Sequence, residues 1–212
     1  GISVIGSDAR KEAPVLALRL RNAALNGCQV GFVNAEDYPY LFSVAEKVIA
    51  EPSDWVLELA RLIVSAGGEL PPEIASDFDL SIERSAQCLI EKPALILLGQ
   101  MTQRHPSFGI IRYLAAVLAT ITGAALGYVT EGANTAGLSL AGVLPHRDVA
   151  GQIRQSAGKN TQQMADSPSK TLMLMNVEPD FDLAGSNNIR AAFDVAETVI
   201  ALTPYAAEPL LD

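Results

Sequence analysis

The amino-acid sequence predicts an α/β fold built on doubly wound, mainly parallel sheets. Three observations predict it. Hydrophobic residues make up 49% of the 212 positions and aromatics only 6%, so the apolar content is carried by aliphatics, the residues that fill strands covered on both faces by helices. Short charge-free runs alternate with stretches of helical period. Each apolar run closes on small or polar residues: Gly6-Ser7, Asn34, Gly99-Gln100, Gly132-Ala133-Asn134, Asn176 and Thr203.

Taken in order, Ile2 to Ile5 reads as a strand followed by a turn at Gly6-Ser7-Asp8. Pro14 suits the first turn of a helix, where a missing N–H costs nothing. Leu16, Leu20, Ala23 and Ala24 follow helical spacing, and Gly27 stands where a C-cap belongs. Gln29 to Val33 is the next strand, completing a crossover unit of about 33 residues. Leu41 to Ala50 is short and mixed. Ser53 is a candidate N-cap for a helix from Asp54 to Ser65 that Gly67-Gly68 ends. Pro71 and Pro72 mark a hinge, and Ser81 to Glu91 reads as a helix ended by Pro93.

A second cycle follows. Ala94 to Leu98 is an apolar strand closed by Gly99. His105-Pro106 starts a helix with Phe108, Ile111, Leu114, Ala115, Leu118 and Ile121 on one face, and Gly123 ends it. Leu126 to Val129 is a strand, and a Gly- and Ala-rich segment runs on to Pro145. Arg147 to Ser169 reads as loop with a short helix. Thr171 to Met175 is a strand, Asn188 to Val195 a helix, and Thr198 to Leu202 the last strand. Val4, Ile5, Val30, Leu95, Ile96, Leu97, Met173 and Val199 are expected in buried strands. The uncharged stretch from Tyr113 to Thr130 has the length of a membrane span. Its Ala, Thr and Gly content, Gly123 and Gly127 included, reads instead as a buried helix followed by a strand.

Composition excludes several function classes. Fifteen basic residues against 24 acids give a net charge of −9, the wrong sign for a general nucleic-acid binder or for adhesion to anionic lipid. Cys28 and Cys88 cannot by themselves form a four-cysteine zinc or iron–sulfur site, and they read as ordinary thiols in a reducing compartment. There is no secretory signal. The chain starts without Met, already in a strand, and stops at Leu210-Leu211-Asp212, so it reads as an internal piece of a larger protein.

Catalytic motifs are absent: no GxGxxG, P-loop, GxSxG, HExxH or CxxC. His105 reads as a helix-start residue and His146-Arg147 as an exposed turn. Asp180 and Asp182, after Pro179, read as a capping turn, and Asp77 and Asp79 as loop and cap acids. Met173 and Met175 alternate with Leu172 and Leu174 and read as core. In doubly wound sheets ligands bind outside the carboxyl ends of the strands, where Gly, Ser and Asn let backbone approach a phosphate. Such residues are also simply good turn formers.

Four segments carry a family resemblance. Glu131-Gly132-Ala133-Asn134-Thr135-Ala136-Gly137, continuing through Leu140-Ala141-Gly142 to Leu144-Pro145-His146-Arg147, resembles the large iron–sulfur subunit of bacterial NADH:quinone oxidoreductase, respiratory complex I. Gly6-Ser7-Asp8-Ala9-Arg10-Lys11-Glu12-Ala13-Pro14 with Leu18-Arg19-Leu20-Arg21 is similar to the start of that subunit's molybdopterin-oxidoreductase-like region. Asn176-Val177-Glu178-Pro179-Asp180-Phe181-Asp182 resembles its later strand-end loop, and Val199-Ile200-Ala201-Leu202-Thr203-Pro204-Tyr205 its following strand. The likeness runs over nearly all of the chain, loosest from Glu69 to Glu91 and from Asp148 to Ser169.

The resemblance implies formate dehydrogenase/DMSO reductase-like lobes: residues 1–92 as a nucleotide-binding-like α/β lobe and 93–212 as part of a second one. Related enzymes bind a molybdopterin guanine dinucleotide pair at these strand-end loops. The resemblance therefore singles out Gly6, Ser7, Asp8, Asn34, Gly132, Asn134, Asn176 and Glu178 as a vestigial cofactor pocket, with no catalytic residue and no metal ligand in this chain. Active family members carry an Asp-Pro-Arg-type turn after the second strand; here it reads Asn34-Ala35-Glu36-Asp37, which sets acids where a pyrophosphate needs a cation. The iron–sulfur clusters are expected upstream of Gly1. The expected partners are those cluster-bearing domains and other peripheral-arm subunits, on the cytoplasmic face of the bacterial inner membrane. Two alternatives stand beside this scaffold reading: the pterin-dinucleotide-binding part of an active molybdopterin oxidoreductase, and an unrelated small-ligand-binding α/β domain.

Overall fold

A computed structural model describes residues 1–70, 80–81, 84–183 and 186–205. The chain divides into two compact units, Gly1–Thr135 and Ala136–Asp212.

The first unit is an α/β unit on a five-stranded, all-parallel sheet. Its strands are β1 (Ile2–Ile5), β2 (Val30–Asn34), β3 (Glu46–Ile49), β4 (Leu95–Leu98) and β5 (Ala125–Tyr128), in the order β3-β2-β1-β4-β5. Ile2 is in register with Val30 on one side and Leu95 on the other, so β1 is central. Chain order reverses between β1 and β4. The boundary expected after residue 92 falls inside this sheet, because β4 pairs directly with β1.

Both faces of the sheet are covered, as its charge-free strands β1, β2 and β4 require, while the edge strand β3 carries Glu46 and Lys47. On one face α1 (Ala9–Glu12) leads into α2 (Pro14–Leu25), whose Leu16, Leu20 and Ala24 pack with Val4, Phe32 and Leu97. Pro14 opens α2 and Gly27, at φ +90°, follows its end. The β2–β3 connection carries no helix; Tyr40 stacks on Phe32 at 4.0 Å, with Phe42 and Val44 beside it. On the other face α3 (Trp55–Ser65) packs against the long helix formed by Phe108–Thr122, over Ile5, Val33, Ile96 and Leu98. Ile111, Leu114, Ala115 and Leu118 of that helix are fully buried, as its periodicity predicts, and Gly123 ends it at φ +63°. The stretch from Tyr113 to Thr130 is thus helix and then strand, and no helix among the described residues is long and apolar enough to cross a membrane.

Two local expectations fail, the first because long-range partners override the local pattern and the second because a neighbouring turn takes its place. The helix expected from Ser81 to Glu91 is only one turn, α4 (Gln87–Ile90). Upstream of it, the Arg84 N–H donates to Ser65 Oγ (3.3 Å) and the Ser85 N–H to Glu46 Oε1 (3.0 Å), which removes them from a helical ladder. Ser53 is not an N-cap either: it lies in a 3₁₀ turn, Pro52–Asp54, which delivers the Trp55 indole N–H onto the Ala50 carbonyl (3.2 Å). The hinge at Pro71-Pro72 and the acids Asp77 and Asp79 lie outside the described residues. Two further helices of this unit among the described residues are α5 (Gln100–Gln103) and α6 (Phe108–Thr122).

The second unit holds α7, whose range Thr135–Leu140 begins at the unit boundary, α8 (Thr161–Asp166), α9 (Pro179–Asp182) and α10 (Ser186–Val195). Its parallel pair is β6 (Thr171–Met175) with β7 (Thr198–Leu202). Asn160 and Gln163 form a capping box at the start of α8. The expectation of buried strands is corrected here. Met173 and Met175 are 58% and 67% exposed on the face opposite Leu172 and Leu174, and Val199, in register with Leu172, is 41% exposed on β7, every residue of which is exposed. The opposite face, with Met173, Met175, Ile200 and Leu202, is bare.

Candidate functional site

The carboxyl ends of β1 and β4 meet where the strand order reverses. Gly6 turns the chain at φ +64°, and a Cβ there would stand 2.9 Å from the Trp55 ring and 2.6 Å from Thr102 Cγ2. Gly99 is equally constrained: its N–H donates to the Ile5 carbonyl (2.7 Å), and a Cβ would fall 2.0 Å from the Gly6 oxygen. The two strand ends therefore touch backbone to backbone, which only glycines permit.

Polar side chains close over this junction. Asn34, at the end of β2 and 1% exposed, accepts from the Ser7 N–H (2.8 Å) and donates to the Ser7 carbonyl (3.1 Å) and the Tyr40 hydroxyl (3.2 Å). Glu12, at the end of α1, turns its carboxylate back onto the strand ends. It accepts from Ser7 Oγ (2.6 Å), from the Asp8 N–H (3.1 Å) and from the Gln100 N–H (3.4 Å). Only the back-reaching half of a capping box is present, since the Asp8 side chain makes no cap bond, and the acid also reaches across to the next strand end. Thr102 donates to the Gly99 carbonyl (2.7 Å), and Gln100 ties the end of β4 to Thr130 after β5 (3.1 Å). Burial, and behind it the Asp8 carboxylate, raise the Tyr40 phenol far above its ordinary value, so it remains a neutral hydroxyl.

Of the eight residues the sequence singled out, the structure brings Gly6, Ser7, Asp8 and Asn34 into one cluster. Gly132 and Asn134 lie exposed on the turn after β5, where the Gly132 N–H donates to Thr135 Oγ1 (3.1 Å). Asn176 and Glu178 belong to the second unit. Asn176 takes a left-handed φ of +50° and donates its N–H to the Leu202 carbonyl (2.7 Å). The Glu178 N–H donates to Asp182 Oδ2 (2.7 Å), so Asp182 caps this turn, while Asp180 makes no cap and pairs with Arg190. The acid turn after β2 is partly neutralised: Asp37 is bridged by Lys47 at 2.5 Å, while Glu36 is exposed. Sequence reasoning missed Glu12, Tyr40 and Thr102 and named Gln100 only as a strand-end residue. Glu12 left a trace, an acid four residues after a turn acid at a helix start.

The dinucleotide that the resemblance implies for active relatives does not fit this junction. Its phosphates require free N–H or hydroxyl donors at the strand ends. Ser7 Oγ, Asp8 N–H and Gln100 N–H are all engaged by Glu12, and among the described residues no buried side-chain nitrogen or oxygen lacks a partner. No group of three or more His, Cys, Asp or Glu among the described residues is placed to hold a metal ion. Cys28 and Cys88 are both free. Burial, then the Glu46 carboxylate with its Oε2 3.7 Å from the sulfur, pushes the Cys88 thiol up to about 11, which favours the protonated form. His105 Nδ1 accepts from the Ser107 N–H (3.0 Å), a helix-start role, and His146 is exposed. No protein-family model matches the chain, and no curated protein matches it.

Proposed function

We propose that the chain is a non-catalytic scaffold module of the large iron–sulfur subunit of a bacterial NADH:quinone oxidoreductase, respiratory complex I, in which a formate dehydrogenase/DMSO reductase-like lobe persists without its pterin dinucleotide. The observation that carries the non-catalytic half of this reading is the Glu12 carboxylate seated on Ser7, Asp8 and Gln100 at the reversal of strand order. A phosphate placed about 4 Å from that carboxylate would meet a repulsion of about 4 kcal/mol per unit charge at an effective dielectric of about 20. The four ordered segments that resemble the subunit support the parent assignment. In this reading NADH oxidation and quinone reduction belong to the parent complex. Electron transfer runs through clusters in other domains, and this chain supplies packing surface to those domains and to peripheral-arm subunits at the cytoplasmic face.

The test is made on the native protein. A tag is introduced at the gene, membranes are solubilised, and the tagged species is followed through sedimentation. The reading predicts that the tag co-migrates with NADH:quinone oxidoreductase activity and with iron–sulfur paramagnetic signals. Migration of the tag apart from that activity, or with formate oxidation, overturns it.

A further inference from the structure

The first unit carries an apolar groove with a basic rim on the outer side of α2. Its walls are Ala17 and Leu18 on the helix and Leu41 and Phe42 on the β2–β3 loop, and it encloses about 220 Å³. Leu18 and Leu41 are 53% and 70% exposed, and Val15 and Leu25 extend the same outward stripe at 73% and 63%. Val15, Leu18 and Leu25 stand at i, i+3 and i+10, one face of a helix. The opposite face of α2 already packs on the sheet through Leu16, Leu20 and Ala24, so the outer stripe is apolar surface without a role inside the unit.

The rim sets the chemistry of what fits. Arg10 donates from Nη1 to the Pro39 carbonyl (2.7 Å) and Arg21 from Nε to the Leu41 carbonyl (3.3 Å). Each guanidinium is thereby held in place at the groove while most of its five donors remain for another acceptor. A pre-positioned Arg loses little freedom when it meets a carboxylate and can meet it through two parallel hydrogen bonds. Residues 10 to 21 hold four cations, Arg10, Lys11, Arg19 and Arg21, and one acid, in a chain whose net charge is −9; Lys11 is bridged to Asp8 at 3.5 Å, which leaves the three arginines to set the rim. That one acid is Glu12, and its carboxylate is turned away onto Ser7 and Gln100. The basic sign of this face is thus local and runs against the charge of the whole.

We infer that the α2 groove is a docking site for a segment of another protein that carries large apolar side chains flanked by Asp or Glu. The apolar side chains would enter between Leu18 and Leu41, and the flanking carboxylates would be taken by Arg10 and Arg21 in the helix-in-groove manner. A basic segment would be repelled by the same rim. The inference stands on the geometry of α2 and does not depend on the parent complex proposed above.

The test uses the full chain and a phage-displayed library of random peptides of about 12 residues, enough to follow the roughly 18 Å length of α2 as a helix. The inference predicts that enriched peptides combine acidic and large apolar residues and shift the backbone resonances of Leu18, Arg21 and Leu41. Their affinity should fall at least about tenfold in Leu18→Asp, in Arg21→Glu and at about 0.5 M salt. Leu18 and Arg21 are both exposed, and unchanged Trp55 fluorescence verifies that the variants are folded. Enrichment of basic peptides, no enrichment, or affinity unchanged in both variants overturns the inference. A dimer of the chain that Leu18→Asp abolishes also overturns it, since the groove would then be filled by a second copy.

Discussion

Replacing Glu12 with alanine removes the acceptor of three donors at once: the Ser7 hydroxyl at 2.6 Å, the Asp8 N–H at 3.1 Å and the Gln100 N–H at 3.4 Å. A hydrogen bond to a charged group contributes about 1.5–3 kcal/mol, and a buried donor left unpaired costs about 1–3 kcal/mol. Ser7 is fully buried, so its hydroxyl bears most of this loss. The contact to Gln100 is long, and the partial exposure of Glu12 admits water to replace some of the rest. The expected destabilisation is therefore about 2–3 kcal/mol, or roughly 6–12 °C in Tm for a unit of this size. The assay is urea unfolding followed by Trp55, the sole tryptophan, which is 1% exposed and packed against the Gly6 turn. Glu36→Ala is the control: it removes the same charge from an exposed position and should shift stability by less than about 0.5 kcal/mol. If Glu12→Ala costs no more than Glu36→Ala, the carboxylate does not hold the strand ends and the reasoning fails.

Gly6→Ala should destabilise the first unit by at least about 2 kcal/mol, since φ is +64° and the new Cβ meets the Trp55 ring at 2.9 Å. Gly109→Ala, with open space at its Cβ, should be neutral or stabilising by up to about 1 kcal/mol in the same denaturation assay. Glu58 is buried, which works to raise its carboxyl, but hydrogen bonds from Arg84 and Arg61 prevail and hold it below its ordinary 4.5. A lowered folded-state value adds stability that is complete above the ordinary value and vanishes as pH falls through the lowered one. Unfolding midpoints measured from about pH 5 to pH 2 should accordingly fall more steeply in the wild type than in Glu58→Gln. With its thiol pushed up to about 11 and its side chain buried, Cys88 should resist iodoacetamide under native conditions while the half-buried Cys28 reacts, as read by peptide mass spectrometry.

The parts of the fold that were legible in the sequence are those set by local pattern. The runs Ile2–Ile5 and Leu95–Leu98 hold no charge, Pro14 and Gly123 mark helix ends, and the period of Ile111, Leu114 and Leu118 fixes a buried face. The parts that were not legible depend on partners distant in sequence. Arg84 and Ser85 give their N–H groups to Ser65 and Glu46, which cut short a helix that the residues alone support. Met173 and Met175 have the alternation of a core strand, yet burial requires a second layer, and among the described residues their side chains stay exposed. At the candidate site the turn residues were legible because Gly6, Ser7 and Asn34 end strands. The feature that decides its chemistry was not, because the Glu12 carboxylate, besides its local bonds to Ser7 and Asp8, also meets Gln100, 88 residues away. Composition assigns a side chain to a helix end; only the fold brings that end over a neighbouring strand.

The central claim is that the strand ends are occupied by the chain's own carboxylate and side-chain amide and hold no pterin dinucleotide. Calorimetric titration of a guanine dinucleotide, and of a pterin nucleotide, into the purified protein tests it most directly, with Glu12→Gln titrated alongside. The account predicts heats of dilution only for the wild type. Saturable binding at micromolar concentration or tighter would contradict it and would favour an active molybdopterin oxidoreductase instead.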